Sequence, residues 1–498
     1  MAVPFKQSQG EVFIQLLGPG ADHTLVSLGQ CTDLEDIVEP RYSGTPIICR
    51  DTKGNFIQVA ESLAPPGKVT TSINILSSAV RSALEKVTCS YSLYVVQKHC
   101  GTKGSYTDAE MVTILSNARN EQHTYGSMVA REGDAASTFA AQISAWFPVE
   151  RFVGAAGMTV ERITTPGVLA YNDIAMNEES ECDPGCGTPV NTCDVGMITV
   201  ASSGAATPDQ LYSGDAGAAW AITATDPAFG NFNSVTVDRF LTPAGIDRFL
   251  VGREGLGAAV QGQMAYSDDN GATWTTVSIG GAAAGFGPIR NGGVFALDYN
   301  HIWVVGDAGY IYFSDDGGAT YTVQDAGVVA AGDYSQVKFI DALRGVAVNQ
   351  AADVVAITTD GGAHWAAATP TGAGTGLLCV DLFEEDKILA GDDAGNLWYS
   401  DDFGTSWAEI TGFTGTGVGT IQDVKMVSNN IGWMINADGA GLCVIQRTFD
   451  GGNTWTALAN PASTVNVGLN ALAVCDANNA FAVGEAMGGF GVLFWAHE

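Results

Sequence analysis

From residue 200 onward the apolar positions come in runs of four or five, each closed by Gly, Asp or Asn. Val294–Leu297, Ile302–Val305, Tyr310–Phe313 and Thr320–Val323 are such runs, with Asp298-Tyr-Asn-His301 and Gly306-Asp-Ala-Gly309 between them. That length and punctuation predict short antiparallel strands in sets of four. Before residue 200 the pattern is less regular. Glu11–Leu17, Thr24–Gly29, Thr45–Cys49, Phe56–Val59 and Lys68–Ile75 alternate or are apolar and predict strands, and Tyr91–Gln97, Thr138–Trp146 and Met158–Ile163 admit strands too. Leu76, Val80, Leu84 and Val87 follow the i, i+4 period and predict a helix over Ser77–Val87. Thr107-x-x-Glu110 has the form of a capping box and predicts the start of a second helix. The first part is therefore expected to be a β-sandwich or small barrel with one or two helices.

One short pattern, Ser/Thr-x-Asp-x-Gly-x-x-Trp/Tyr, recurs six times in the second part. Its copies are Ser213, Asp215, Gly217, Trp220; Ser267, Asp269, Gly271, Trp274; and Ser314, Asp316, Gly318, Tyr321. They continue with Thr358, Asp360, Gly362, Trp365; Ser400, Asp402, Gly404, Trp407; and Thr448, Asp450, Gly452, Trp455. The aromatic positions step by 54, 47, 44, 42 and 48 residues. A four-stranded sheet repeated at that period buries both faces only by stacking on its neighbours, which is the logic of a β-propeller. The chemistry of the box suits a tight turn between third and fourth strands. Glycine supplies an unusual backbone angle, Asp and Ser/Thr bond turn amides, and the aromatic residue plugs the turn against its own blade.

These six copies resemble the Asp-box, or bacterial neuraminidase, repeat, a family built from β-propellers, over roughly residues 200–498. Leu472–Val474, Ala480–Val483 and Gly491–Trp495 come after the last box without a further box, so pairing them with Trp220–Thr225 closes six blades. Seven is the alternative if Met197–Ala201 belongs to another blade. Sialidases, the enzymatic relatives of that repeat, need an arginine triad. Arg239, Arg248, Arg253, Arg290, Arg344 and Arg447 supply the number, but the family's Arg-Ile-Pro signature is absent, and Gly287-Pro-Ile-Arg290 has the letters in another order. No catalytic residue is assigned. Photosystem II assembly factors are a second family with propellers of this kind.

Composition narrows the function further. The 498 residues carry 22 Lys+Arg and 54 Asp+Glu, a net charge of −32, with 46% hydrophobic residues. The apolar content excludes an acidic disordered chain, and the charge excludes a general nucleic-acid binder. Residues 200–498 hold −23 of the charge, which repels an anionic sugar. Met1–Gly20 lacks the basic and apolar regions of a secretory leader, and no run reaches the ~18 apolar residues of a membrane helix; a soluble chain without membrane insertion is expected. Asp315-Asp316, Asp392-Asp393, Asp401-Asp402 and Glu384–Asp386 lack the alternating spacing of a calcium loop and fit solvated turns. His301, His364 and His497 are isolated in sequence. Ser92, His99 and Asp108 have the types of a hydrolytic triad without its geometry, and Gly18-Pro-Gly20 is a turn rather than a phosphate loop. No cofactor or metal is assigned.

Ten cysteines are present. Cys379, Cys443 and Cys475 sit at strand positions and fit small buried residues. Cys182, Cys186 and Cys193 cluster in a Pro/Gly-containing stretch and suit a disulfide, a structural zinc with a further ligand such as Cys100, or free thiols. That stretch sets the expected domain boundary: a β-rich domain at 1–176, a linker at 177–194 and the propeller at 195–498.

In the first part, Thr24–Gly29, Ile37–Arg41 with Thr45–Arg50, Lys68–Ile73 and Leu93–Gly101 resemble a tail-tube protein of tailed bacteriophages. That resemblance implies a virion subunit that self-assembles, pairing strand edges into stacked homo-oligomeric rings. DNA would pass through the lumen, and the propeller would be displayed outside, open to a host-surface glycan or protein. The sequence reading is thus a non-enzymatic tail-tube subunit. The alternatives are a monomeric propeller scaffold of the photosystem II assembly-factor type and a glycan-binding or sialidase-like propeller.

Overall fold

The computed structural model describes strand pairing between residues 10 and 153. It also describes residues 158–497 apart from 166–169, 177–194, 201–209, 224–231, 256–262, 280–288, 325–331, 371–375, 438–442, 459–467 and some shorter gaps. The chain divides into two units, one formed mostly by residues before Thr159 and one by Thr159–His497.

In the first unit Gly10–Leu16 pairs with Val26–Glu35 and with Tyr91–Gln97. Val26–Glu35 pairs with Gly67–Ile75, which pairs with Ser137–Ala145. Met111–Tyr125 joins Ser137–Ala145 and pairs back to Tyr91–Gln97, so the antiparallel order closes on itself. Val149–Val153 continues along the edge of Met111–Tyr125, and Pro46–Arg50 with Phe56–Ala60 forms a separate ribbon. The second helix expected to start at Thr107 is corrected: Met111–Tyr125 is a strand of 15 residues. Val112-Thr113-Ile114 is β-branched, and pairing along both edges outweighs a local cap signal. The helix expected over Ser77–Val87 lies outside the described residues.

The second unit is a β-propeller of seven blades, each a four-stranded antiparallel meander. Blade 1 is Tyr171–Met176, Gly196–Val200, Gln210–Ser213 and Ala221–Ile222. Blade 2 is Phe232–Leu241, Asp247–Gly255, Gln263–Ser267 and Thr275–Ser278. Blade 3 is Ile289–Asp298, His301–Gly306, Ile311–Ser314 and Thr322–Gln324. Blade 4 is Tyr334–Phe339, Gly345–Asn349, Val354–Thr358 and Ala366–Ala368. Blade 5 is Leu377–Phe383, Lys387–Asp392, Leu397–Ser400 and Ala408–Ile410. Blade 6 is Ile421–Met426, Gly432–Ala437, Cys443–Thr448 and Thr456–Ala457.

Blade 7 corrects the expected count of six. Its first three strands are Leu469–Asp476, Asn479–Met487 and Phe490–His497, and its fourth is Thr159–Ile163, paired to Phe490–His497. The two ends of the propeller do pair, but through a strand upstream of the expected boundary. Ala221–Ile222, expected to complete the last blade, instead pairs with Gln210–Ser213 in blade 1. Because the seventh blade borrows its last strand, it has no turn between third and fourth strands and no box, so boxes number one fewer than blades. The propeller starts at Thr159 rather than at 195. Residues 177–194, expected as an interdomain linker, connect paired strands of blade 1 and lie outside the described residues.

The core lies between blades. Trp303 of blade 3 stacks on Phe339 of blade 4 with ring centroids 3.5 Å apart, and Trp365 meets Phe339 edge-on. Other inter-blade clusters join Phe249 and Val251 to Met197, and Leu389 and Phe383 to Val424 and Met434. The first two strands of a blade are buried on both faces, as in Gly345–Asn349, so they read as continuous apolar runs. Outer strands such as Ala366–Ala368 are largely exposed.

Candidate functional site

Each repeat box closes the turn from third to fourth strand with one set of hydrogen bonds. In blade 2 the Ser267 hydroxyl donates to Asp269 Oδ1 at 2.9 Å and accepts from the Gly271 amide at 2.8 Å. Asp269 Oδ1 accepts from the Thr273 amide at 2.7 Å and Oδ2 from its hydroxyl at 2.6 Å. The hydroxyl-to-carboxylate bond recurs at 2.9 Å in the other five boxes. All six box glycines have positive φ, from 76° at Gly217 to 89° at Gly452. The residue four after the Asp is absent from the pattern read in the sequence, although the aligned boxes show it. It is a hydroxyl-bearing Thr273, Thr320, Ser406 or Thr454 in four of them, each bonded to Oδ2. In blade 4 the same place is taken by His364, whose Nδ1 lies 2.7 Å from Asp360 Oδ2.

The box does more than close a turn. A Cβ built on Gly217 would lie 2.5 Å from Phe481 of blade 7, on Gly271 2.6 Å from Thr223 of blade 1, and on Gly404 2.2 Å from Ile357 of blade 4. The glycine therefore seats the turn on the preceding blade. The box aromatics do the same: Trp220 packs with Phe481, Tyr321 with Leu250, and Trp455 with Leu389. Each of these aromatics also shares its cluster with residues of its own blade, so the plug expected from the sequence extends across the seam between blades. Trp220, Trp407 and Trp455 also donate from Nε1 to their own box glycine carbonyl at 2.9, 3.1 and 2.9 Å.

Burial acts against ionisation of Asp269, Asp316 and Asp402, but the hydroxyl and amide bonds they accept win, and their carboxyls stay below the ordinary value. The amide and ring of His364 pull Asp360 down to about 2. A carboxyl lowered on folding stabilises the native state above its unfolded pKa, and that contribution disappears as pH falls through its folded pKa. The propeller should therefore hold its urea midpoint from pH 7 to near 4 and lose it progressively toward pH 2. A midpoint unchanged from pH 4 to pH 2 would show that the boxes contribute nothing.

A second ring of polar side chains surrounds the propeller axis, and no motif in the sequence announces it. Asp173 accepts from the Val237 amide of the next blade at 3.0 Å, Asp238 from Ala296 at 2.7 Å, and Gln336 from Val380 at 2.5 Å. Asp381 accepts from Met426 at 2.6 Å and Asp423 from Leu472 at 2.9 Å, while Asn470 donates to the Tyr171 carbonyl at 2.8 Å. First strands carry β-bulges near their starts, for example between Tyr334 and Gln336 and between Ile421 and Asp423. A bulge re-aims the side chains beyond it, here toward the neighbouring first strand. Gln336 also reaches Asp423, two blades away, at 3.3 Å. Burial pushes the Asp381 carboxyl up, against the pull of Lys338, the Met426 amide and Lys425.

The arginines weighed for a sialidase triad do not converge. Arg239 is paired with Asp247, Arg248 with Asp268 and Arg344 with Asp341. Arg248 also donates to the Gly317 carbonyl of blade 3 at 2.8 Å and lies over the Tyr266 ring. Arg447 is fully buried between Trp433 and Phe449, and desolvation lowers its pKa to about 9. The side chains of Arg253 and Arg290 lie outside the described residues. His301 bonds Asp298, and His497 stacks on Trp495. Asp392, expected in a solvated turn, is instead buried and caps a turn through the Ala394 and Asn396 amides.

Cys379 is buried as expected and Cys443 only half-buried, neither in a disulfide, whereas Cys475, also buried, is disulfide-bonded. Cys182, Cys186 and Cys193, with His99 and Asp108, lie outside the described residues. Among the described residues no group of three or more His, Cys, Asp or Glu is placed to hold a metal ion, and no helix is long and apolar enough to cross a membrane.

No family model matches the chain, and no curated protein matches it. Solved structures do match. YCF48 bound to D1 peptide is 15% identical at a TM-score of 0.50, covering 68% of this chain and 95% of that one. YCF48 from Cyanidioschyzon merolae is 16% identical at 0.48, covering 68% and 98%. The WD40 repeats of RRP9 are 8% identical at 0.47, covering 68% and 97%. The expected tail-tube subunit, stacked in rings on a virion, is corrected: the structures matched over 68% of the chain are propellers of YCF48 and RRP9, not viral tail proteins. At these identities the chain shares with its matches the propeller fold.

Proposed function

We propose that this chain is a non-catalytic propeller scaffold that holds a polypeptide partner, in the manner of an assembly factor. The observation that carries the reading is the match over 68% of the chain to a propeller whose structure holds a D1 peptide. The fate of the charged side chains supports it. Arginines that a glycosidase would aim at a substrate are tied to Asp247, Asp268 and Asp341, and the axial carboxylates bind backbone amides. The six turns are Asp-boxes of the bacterial neuraminidase type in this reading, supported by their common hydrogen bonds, and they act as architecture rather than as a sugar site. The β-rich unit before Thr159 is a domain in its own right.

The test is an array of synthetic peptides, varied in charge and apolar content, probed with the full-length chain and then titration of the hits. Saturable binding to a subset is expected. Absence of any saturable peptide binding, together with turnover of a fluorogenic glycoside, would replace the scaffold with a hydrolase.

A further inference from the structure

We infer that the box-bearing face of the propeller docks a cationic polypeptide segment with spaced apolar anchors; this rests on the scaffold reading and names the face and the partner's chemistry. In a four-stranded meander the first-to-second and third-to-fourth turns emerge at the same end, so the boxes share a face with the turns that end the first strands. Three of those turns carry large apolar side chains held out in water. Ile246 on blade 2 is 46% exposed, Leu343 on blade 4 is 58% exposed and Val427 on blade 6 is 39% exposed.

Their backbone settings are well defined. The Ile246 carbonyl accepts from Thr242, Leu343 lies two residues past Asp341, which caps the Leu343 and Arg344 amides, and Val427 donates to the Ile431 carbonyl. Fixed turns presenting apolar side chains in alternate blades form anchor points already ordered before a partner arrives, which lowers the entropy cost of binding.

Charge selects the partner. The same face carries exposed carboxylates at Asp215, Asp315, Asp360 and Asp386. Of the cations that share it, Arg239, Arg248 and Arg344 are each engaged by an aspartate, Lys425 lies 3.7 Å from Asp423, and Lys387 stands next to Asp386. An anionic segment is repelled there, a neutral apolar one gains nothing from the charge, and a lysine- or arginine-bearing one is attracted. Packed sheets lie about 10 Å apart, so anchors two blades apart are separated by about 20 Å, the span of about six extended residues. The fitting segment runs around the axis with an apolar residue about every sixth position and basic residues between.

The probe is a fluorescein-labelled peptide with leucines at that spacing in a lysine/serine background, titrated against the full-length chain. A lysine/serine peptide without leucine serves as its control. The leucine-bearing peptide is expected to bind saturably, and more weakly as salt rises from about 50 to about 500 mM. Replacing Ile246→Ser, Leu343→Ser and Val427→Ser together should weaken binding about tenfold or more. Val323→Ser, at an exposed position on the outer strand of blade 3, should leave binding unchanged. Equal binding of the two peptides to the unmodified chain overturns the apolar anchors without any variant. Equal binding by the triple variant overturns the face. If peptides from the array bind but this probe does not, the face falls while the scaffold stands; if neither binds, both fall.

Discussion

Replacing Gly404 with valine is expected to destabilise the propeller by about 3 kcal/mol or more, as the sum of two separate costs. Gly404 holds φ at +80°, where a side chain costs about 1–2 kcal/mol. Its Cβ would also lie 2.2 Å from Ile357 Cδ1 of the preceding blade, and overpacking of that kind costs about 1–3 kcal/mol. Gly412 supplies the comparison. Its φ is +99°, yet nothing lies within 4 Å of its would-be Cβ, so Gly412→Ala should show backbone strain alone, about 1 kcal/mol. Urea unfolding monitored by tryptophan fluorescence separates the two. If Gly404→Val is no worse than Gly412→Ala, the box does not seat on its neighbour.

Asp423→Ala should cost about 2–4 kcal/mol. Its carboxylate accepts from its neighbour's amide at Val424 and from Leu472 at 2.9 Å, and lies 3.7 Å from Lys425 Nζ. Alanine removes the acceptor of the Val424 and Leu472 amides and of the Gln336 side-chain amide, and takes one of two neighbouring carboxylates from the Lys425 ammonium. Asp423→Asn keeps an oxygen for Leu472 and should lose clearly less. Equal losses for the two substitutions would mean that charge, not the bridge between blades 6 and 7, is what the site requires. An alanine variant as stable as the parent would remove the axial ring from any account of stability.

The legible parts of this molecule are those with local causes. The box needs Ser or Thr, Asp and Gly at fixed offsets because each bonds a turn within five residues, so six copies announce six turns. Three strands of blade 3 can be placed to within two residues at either end for the same reason, whereas the first begins at Ile289, five residues before its apolar run. Ring closure is harder to read. Thr159–Ile163 carries no mark that it pairs with Phe490–His497, more than three hundred residues on, and its short apolar pattern suits any strand. The partner of each box is equally hidden, because Gly404 shows its dependence on Ile357 only once two blades are side by side. Asp173, Asp238, Asp381 and Asp423 look in sequence like ordinary strand acids. Only bulged first strands arranged around an axis turn them into acceptors for the next blade.

The borrowed strand of blade 7 also sets a timetable. A ribosome delivers Thr159–Ile163 before any other part of the propeller and Phe490–His497 last, so the early strand has no partner until the rest of the propeller has been made. Blades 1 to 6 can stack as they emerge, but together they form an arc with two open flanks. A chain that stops short of Leu469 leaves the apolar flank of blade 6 uncovered, and one that stops short of Phe490 leaves Thr159–Ile163 without the strand it pairs with. Completion of the ring is in this sense a proofreading step, passed only by chains that extend through His497.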